Sequence, residues 1–419
     1  GSHGSGYFTV AKRLRRIEIL FARNGSSHGL NDRTGFYPLL QSYEMKILAI
    51  NPGSTSTKIA VYNDRNKVFA TTLRHSVDDL EPFPRVIDQF EFRKHLILNS
   101  LAENEIPLEF DAVIGRGGLL RPIPGGVYEV NDAMVADIKK VRRSHACNLG
   151  CLIARDLADE LGCPAYIADP GVVDELDEVA RITGSPLMPR ITTWHALNQR
   201  AIGRRYARQL SEANSSQPPV RYEEMNLIIV HLGGGISVGA HKHGKVVDVN
   251  NAFDGEGPFS PERAGTLPSG ALIDLCYSGR YTKDELKKRI SGKAGLAAHL
   301  GSTDIQAIVA RIEKGDDYAR LVLDAMIYQI AKHVAALTPV FRGKVDAILI
   351  TGGIAYSDYV MSRLLPQIDF IAPVEIFPGE DELEALALNA LGALDGSLPV
   401  QTYVQKKTNH QTIADPQLN

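Results

Sequence analysis

Apolar residues along this chain come in short runs that stop at clusters of glycine and small polar residues. Residues 46–50 (KILAI) form one such run, ended by NPGSTST at 51–57. Residues 58–62 read as a second strand, 63–66 as a turn, and 67–75 alternate enough to be a third. This is a β-meander with a small-residue loop between its first two strands. The same order returns downstream: an apolar run at 227–230, HLGGG at 231–235, a strand at 236–240, a turn at 241–244 and a strand at 245–249. Asn51 and Gly233 therefore stand at equivalent points a whole domain apart, a spacing that suits a duplicated lobe rather than a solenoid. A third run, 345–350, ends at Thr351-Gly352-Gly353. Helical periodicity marks 134–141, 149–161, 271–276 and 318–337. Meanders followed by strand–helix alternation predict an α/β fold of two related lobes, with a hinge near 169–193 and a ligand cleft between them.

The ends do not join this pattern. Residues 1–44 begin with GSH, carry mixed charge and show no sustained periodicity, so they are expected to be a tag or upstream extension, with Met45 as the start of the fold. The first lobe is expected to span 45–170, completed by about 382–399, and the second 171–381. Residues 400–419, rich in Gln, Asn and Lys, read as a polar tail of poor order.

Composition narrows the class. The 419 residues carry 46 Lys+Arg against 49 Asp+Glu, a net charge of −3, which argues against a nucleic-acid binder. No uninterrupted apolar run approaches the ~18 residues of a membrane span. Four cysteines, Cys147, Cys151, Cys163 and Cys276, form no CxxC pair, and their scarcity suits reduced thiols in a cytoplasmic protein.

Small residues at a strand end let backbone N–H groups approach a phosphate without obstruction. The first such loop adds the hydroxyls of Ser54, Thr55, Ser56 and Thr57 and the charge of Lys58. The second, Gly233, Gly234 and Gly235, offers bare backbone, and Gly352 and Gly353 form a third. Neither GxxxxGK[ST] nor GxGxxG occurs, which disfavours P-loop and dinucleotide folds.

A phosphate loop in each of two repeated lobes resembles the superfamily of acetate and sugar kinases, heat-shock chaperones and actin. NPGSTSTK (51–58) is similar to the first phosphate motif of the acetate kinase family. GRGGLLRPIPGG (115–126), HLGGGISVG (231–239), DGEGPFSPER (254–263) and FPGEDEL (377–383) resemble its butyrate kinase branch. The likeness covers nearly all of 45–399. It implies ribonuclease-H-like lobes, each a mixed sheet with helices on both faces, around a nucleotide cleft. It also implies an ATP- and Mg²⁺-dependent kinase of short-chain carboxylates, giving an acyl phosphate and ADP, and a homo-oligomer that needs no nucleic acid or membrane.

Site roles follow from the same resemblance. Asn51 and the three loops would hold the nucleotide. Arg116, at the end of an apolar strand, would clamp the substrate carboxylate, as a planar guanidinium does well. His195 matches the histidine that contacts the transferring phosphoryl group, and His145 a second one near the substrate. Asp169, after the strand 165–168, would hold Mg²⁺ through waters. The family's metal-side glutamate falls at Asp381 or Glu382, and Glu382 keeps the better register. Acetate kinases carry a second catalytic arginine in the stretch matching 261–275. Here the only arginine is Arg263, offset from the aligned position near Pro268, and it is the candidate for that role. Rival readings are a kinase of acetate, propionate or isobutyrate, a sugar kinase using Asp169 as base, and a nucleotide-dependent binding module.

Overall fold

The computed structural model describes residues 44–141 and 145–404. The expectations for 1–43 and 405–419 lie outside the described residues. The first lobe holds β1 (Lys46–Pro52), β2 (Ser56–Asn63), β3 (Asn66–Arg74), β4 (Ala112–Arg116), β5 (Val127–Glu129), β6 (Ala165–Ala168) and, from the far end of the chain, a strand at Val400–Thr402. The second holds β7 (Asn226–Leu232), β8 (Ile236–Lys242), β9 (Lys245–Val249), β10 (Ala347–Gly352) and β11 (Val374–Pro378); the strand Val400–Thr402 is β12. The sheets run β12-β5-β6-β4-β1-β2-β3 and β11-β10-β7-β8-β9. In each, an antiparallel meander is extended from its first strand by parallel neighbours, β4 and β6 beside β1, β10 and β11 beside β7. The repeat read from loop spacing is thus a repeat of topology, and the α/β class stands.

Helices α1 (Phe90–Glu103), α2 (Asp132–Lys140), α3 (Cys147–Leu161), α4 (Ala196–Ala213), α5 (Ser269–Tyr277), α6 (Asp317–Ala336) and α7 (Glu382–Asp395) include those that position the cleft. Strand alternation decides what each sheet face meets. Leu48 and Ile50 of β1 point to a core shared with Ile97 of α1, Met134 of α2 and Leu149 of α3. Ile47 and Ala49 point the other way, onto Leu386 and Ala390 of α7. In the second lobe Ile228 and Val230 meet α6, while Leu227 and Ile229 meet Ile202 of α4. The segment Asp317–Phe341 is long and apolar enough to cross a bilayer by composition alone. Its Leu323, Met326, Ile327 and Ile330 are instead buried in the second core. The chain crosses between lobes at adjacent residues: Val172 belongs to the first core, and Val173 packs with Trp194, Val246 and Val249.

One strand end depends on a missing side chain. A Cβ on Gly115 would lie 2.0 Å from the carbonyl oxygen of Gly150. The contact of Gly115 with Gly150 lays α3 directly on β4 and brings the start of α3 beside Arg116.

The expected tail needs correction. Residues 400–402 form β12, paired in parallel with β5, and Tyr403 is 2% exposed. Its hydroxyl donates to Asp137 at 2.8 Å, and Arg121 stacks over its ring. The stretch is polar because a short edge strand faces solvent on one side; a single aromatic anchor holds it. Replacing Tyr403 with Ala should cost about 3 kcal/mol of stability in urea unfolding, as for other buried aromatics. A loss below about 0.5 kcal/mol, the level of an exposed site, would show that β12 is not anchored there.

Candidate active site

The first loop follows β1, where Ser54 and Thr55 are exposed. β2 then alternates, and Lys58 pairs across the ladder with Asn51, placing both on the α7 side. Thr57 falls on the opposite face, fully buried, its hydroxyl 2.9 Å from His75 Nε2 and accepting from Arg93 at 3.0 Å. This corrects the expectation for Thr57: its side chain braces the loop from behind and does not face a nucleotide.

Asn51, Arg116 and Glu382 converge. Arg116 donates to Glu382 Oε2 at 2.9 Å and to Asn51 Oδ1 at 3.4 Å, while Asn51 Nδ2 donates to the same glutamate oxygen at 2.5 Å. Glu382 opens α7. Its neighbour Asp381 is the N-cap, accepting from Glu384 N–H and pairing with Lys67 at 2.6 Å. Of the two acids considered for the metal, Glu382 is therefore the one beside Arg116.

In the second lobe His231 is the penultimate residue of β7 and His195 immediately precedes α4. Their rings stack at 3.8 Å and 15°. Burial comes first in driving both away from the charged form. His231 is pushed down to about 4, and His195 lies well below the usual value with His231, Arg116 and Arg263 adding repulsion. Arg116 of the first lobe and Arg263 of the second thus both disfavour charge on His195. Arg263 packs over Phe253, pairs with Glu262 at 3.3 Å, and leaves a buried Nε without a hydrogen-bond partner among the described residues. Gly234 and Gly235 lie against this group: a Cβ at either would come within 3.5 Å of Glu262 or His195.

A buried chain of hydrogen bonds sets the imidazole of His195. Gln199 Nε2 lies 3.1 Å from Ser237 O and 2.8 Å from Ser237 Oγ. A carbonyl only accepts, so the amide NH₂ faces Ser237. Gln199 Oε1 then accepts from His241 Nε2 at 2.9 Å, and neutral His241 accepts at Nδ1 from the Tyr222 hydroxyl at 2.7 Å. With Gln199 donating to Ser237 Oγ, the serine hydrogen has His195 Nδ1, 2.8 Å away, as its acceptor. His195 is then protonated on Nε2. His231 has the opposite tautomer, Nδ1–H donating to Asn198 Oδ1 at 2.8 Å, with Nε2 3.5 Å from Glu380.

Other expected residues lie elsewhere or act differently. Asp169 is buried, with φ +40°. It accepts from Gly126 N–H at 2.7 Å and pairs with Arg200 at 2.9 Å and Arg204 at 3.4 Å, both on α4. With no exposed oxygen it cannot hold a hydrated Mg²⁺, because its charge is already spent on two guanidiniums. The same burial removes it as a sugar-kinase base. Gly352 has φ +96°, and a Cβ there would sit 2.3 Å from Leu232 O, so this glycine serves strand packing; Gly353 faces open space. His145 is exposed, its Nδ1 2.9 Å from Cys147 Sγ. Burial pushes the Cys147 thiol up to about 11 despite the pull of Arg116.

Sequence reasoning missed His231, Ser237 and Gln199. Two were in quoted motifs. The signal was position: His231 is the last residue before Leu232 and the glycine loop, and Gln199 lies one helical turn after His195.

A profile of the acetokinase family matches residues 209–375. A probable butyrate kinase of Bacteroides thetaiotaomicron is 64% identical over 360 residues, 86% of this chain and 100% of its own length. Butyrate kinase 1 of Clostridium acetobutylicum is 48% identical over 360 residues, 85% of this chain and 99% of its own. Among solved structures, acetate kinase of Porphyromonas gingivalis superposes with a TM-score of 0.69 at 19% identity, covering 84% of this chain and 100% of that one. A propionate kinase of Francisella tularensis gives 0.63 at 17%, covering 82% and 98%. At these identities the structural likeness speaks for the fold.

The buried imidazoles make stability pH-dependent. His75 and His231 fall to about 4 from an ordinary 6.5, with burial the main cause, and burial also holds His195 and His241 well below 6.5. The unfolded chain binds these protons first. The contribution is therefore complete above about pH 6.5 and is lost as pH falls toward 4. The urea midpoint should hold between about pH 8 and 7 and drop steadily below about 6.5. A midpoint flat down to pH 4.5 would mean that the rings charge in place.

Proposed function

Because the chain belongs to the acetokinase family, in which its curated relatives are butyrate kinases, we propose that it transfers the γ-phosphoryl group of ATP to butyrate, giving butyryl phosphate and ADP, reversibly. The observation that carries the reading is Arg116 held on Asn51 and Glu382 at the first small-residue loop, with the His195–His231 stack lying against Gly235 of the second.

The chemistry asks for little else. A carboxylic acid with a pKa of about 4 is ionised at neutral pH, so no base is needed to make it a nucleophile. The difficulty is to bring two anions together and to stabilise charge on the equatorial oxygens of the moving phosphoryl group. Arg116 is the residue proposed to receive the carboxylate. Arg263, with an unsatisfied buried N–H, is proposed as the second cation. His195, neutral and protonated on Nε2, offers a donor to a phosphoryl oxygen and no lone pair there. This supports direct transfer rather than a phosphohistidine at Nε2. His231 and His145 complete the proposed set around the acid. The nucleotide phosphates are assigned to Asn51, Ser54, Thr55, Ser56, Lys58 and Gly233 to Gly235, and the nucleoside to the loop at Gly353.

Mg²⁺ keeps most of its waters and takes one or two carboxylates plus phosphate oxygens. Glu382 fits that demand, with 16% of its side chain exposed beside Arg116. The ion, when bound, supplies charge neutralisation for the phosphates. The free thiols suit a reducing cytoplasm, and assembly as a homo-oligomer is part of the proposal.

The test is acyl phosphate formation from ATP, trapped with hydroxylamine, on acetate, propionate, butyrate and isobutyrate. Butyrate should be preferred. Another preferred acid would move only the pocket, and nucleotide binding without any acyl phosphate would sink the kinase reading. Arg116→Ala should lower kcat/KM for butyrate roughly 100-fold, the scale of losing one preorganised donor to developing charge. Unchanged kinetics would remove Arg116 from the mechanism.

A further inference from the structure

Arg93 sits within α1 and is 0% exposed. A buried arginine ordinarily has a carboxylate partner. Every hydrogen bond described for this one goes to a neutral group. Nε and one terminal nitrogen donate to Gln89 Oε1 at 3.0 and 2.8 Å. The other terminal nitrogen donates to Gly53 O at 2.8 Å, Ser56 O at 3.1 Å and Thr57 Oγ1 at 3.0 Å, and the first also reaches Ser54 O at 3.2 Å. Desolvation pulls its pKa down to about 10, which leaves it charged at neutral pH. The titratable group beside it, His75, is held neutral partly by Arg93 itself. No ion pair to Arg93 occurs among the described residues.

Of its acceptors, Gly53 and Ser54 lie in the loop between β1 and β2, and Ser56 and Thr57 open β2. A trans peptide directs its N–H opposite to its C=O. With the carbonyls of Gly53 and Ser54 drawn toward Arg93, the N–H groups of Ser54 and Thr55 point away from it. Both of those residues are exposed to solvent, whereas Arg93 is not. The guanidinium thus fixes the loop's polarity and stands behind it as a positive charge that no carboxylate cancels. In surroundings of low dielectric such a charge acts over a longer range than one at the surface.

We propose that Arg93 is the positioning residue of the first phosphate loop, orienting its amides toward the polyphosphate of the nucleotide and supplying counter-charge from inside the lobe. This rests on the reading of residues 51–58 as a nucleotide loop. Arg93 touches no substrate and acts through the loop.

The test compares Arg93→Met and Arg93→Lys with the unchanged protein. It measures ADP affinity with Mg²⁺ by calorimetry, KM for ATP and for butyrate, and thermal unfolding. Arg93→Met should weaken ADP binding by about tenfold or more, the equivalent of one charge-assisted contact, while KM for butyrate stays within about twofold. Arg93→Lys, which keeps the charge but not the fork, should recover part of that affinity. A folded Arg93→Met with ADP affinity intact would overturn the proposal. So would equal losses for both substrates, which mark a general strut. If Arg93→Met does not fold, Arg93→Lys decides: ADP affinity equal to that of the unchanged protein would overturn the orienting role. Absence of ADP binding by the unchanged protein would instead fail the nucleotide reading.

Discussion

The cleft depends on a group of four charges, of which Asp169 and Arg200 are buried and Glu175 and Arg204 partly so. Asp169 and Glu175 face Arg200 and Arg204, and the two signs balance. Burial alone would pull Arg200 down, but Asp169 and Glu175 outweigh it and hold the pKa above the ordinary value. The group joins parts that are otherwise separate. Asp169 follows β6 and accepts from Gly126, Glu175 accepts from Gly125 and Val246, and Arg200 also donates to Gly244. First lobe, crossover and second lobe are pinned to one helix. Such pairs gain little over apolar packing, but losing one partner strands a buried charge. Within six residues of α4 and its start come His195, its prop Gln199, and Arg200. The imidazole is placed by the same short segment that ties the lobes together.

Much of this was legible in the sequence because it follows from alternation and punctuation. Strand ends at Pro52, Leu232 and Gly352 coincide with small-residue loops, and the duplicated topology follows from their spacing. Thr57 was legible too. A period of two cannot put Ser56, Thr57 and Lys58 on one face. The partners of Asp169 were not, since Arg200 and Arg204 reach it only after α4 has docked. Arg93 was hidden for the same reason: in a helix of mixed polarity, nothing local distinguishes a buried guanidinium from a solvated one. β12 escaped because its sequence is that of a tail, and its order comes from Tyr403 finding Asp137 and Arg121.

The two lobes share a strand order but build their proposed phosphate loops differently. The first loop has hydroxyls in front and a buried cation behind. The second has bare backbone in front and a stack of uncharged rings behind. Besides Lys58, the positive charge of the proposed site is thus carried by guanidiniums, which cannot give up their protons near neutral pH. The imidazoles beside them are kept from taking protons up. Proton traffic is suppressed on both counts, which suits a transfer between two groups that are already anionic.

The thiol of Cys147 lies close enough to Arg116 to feel its charge, yet burial keeps it protonated and out of reach. Cys276, on α5, is exposed. Alkylating reagents and mild oxidants will meet α5 long before the cleft. A dye carried on Cys276 therefore offers an optical handle on the second lobe that leaves the reacting groups untouched.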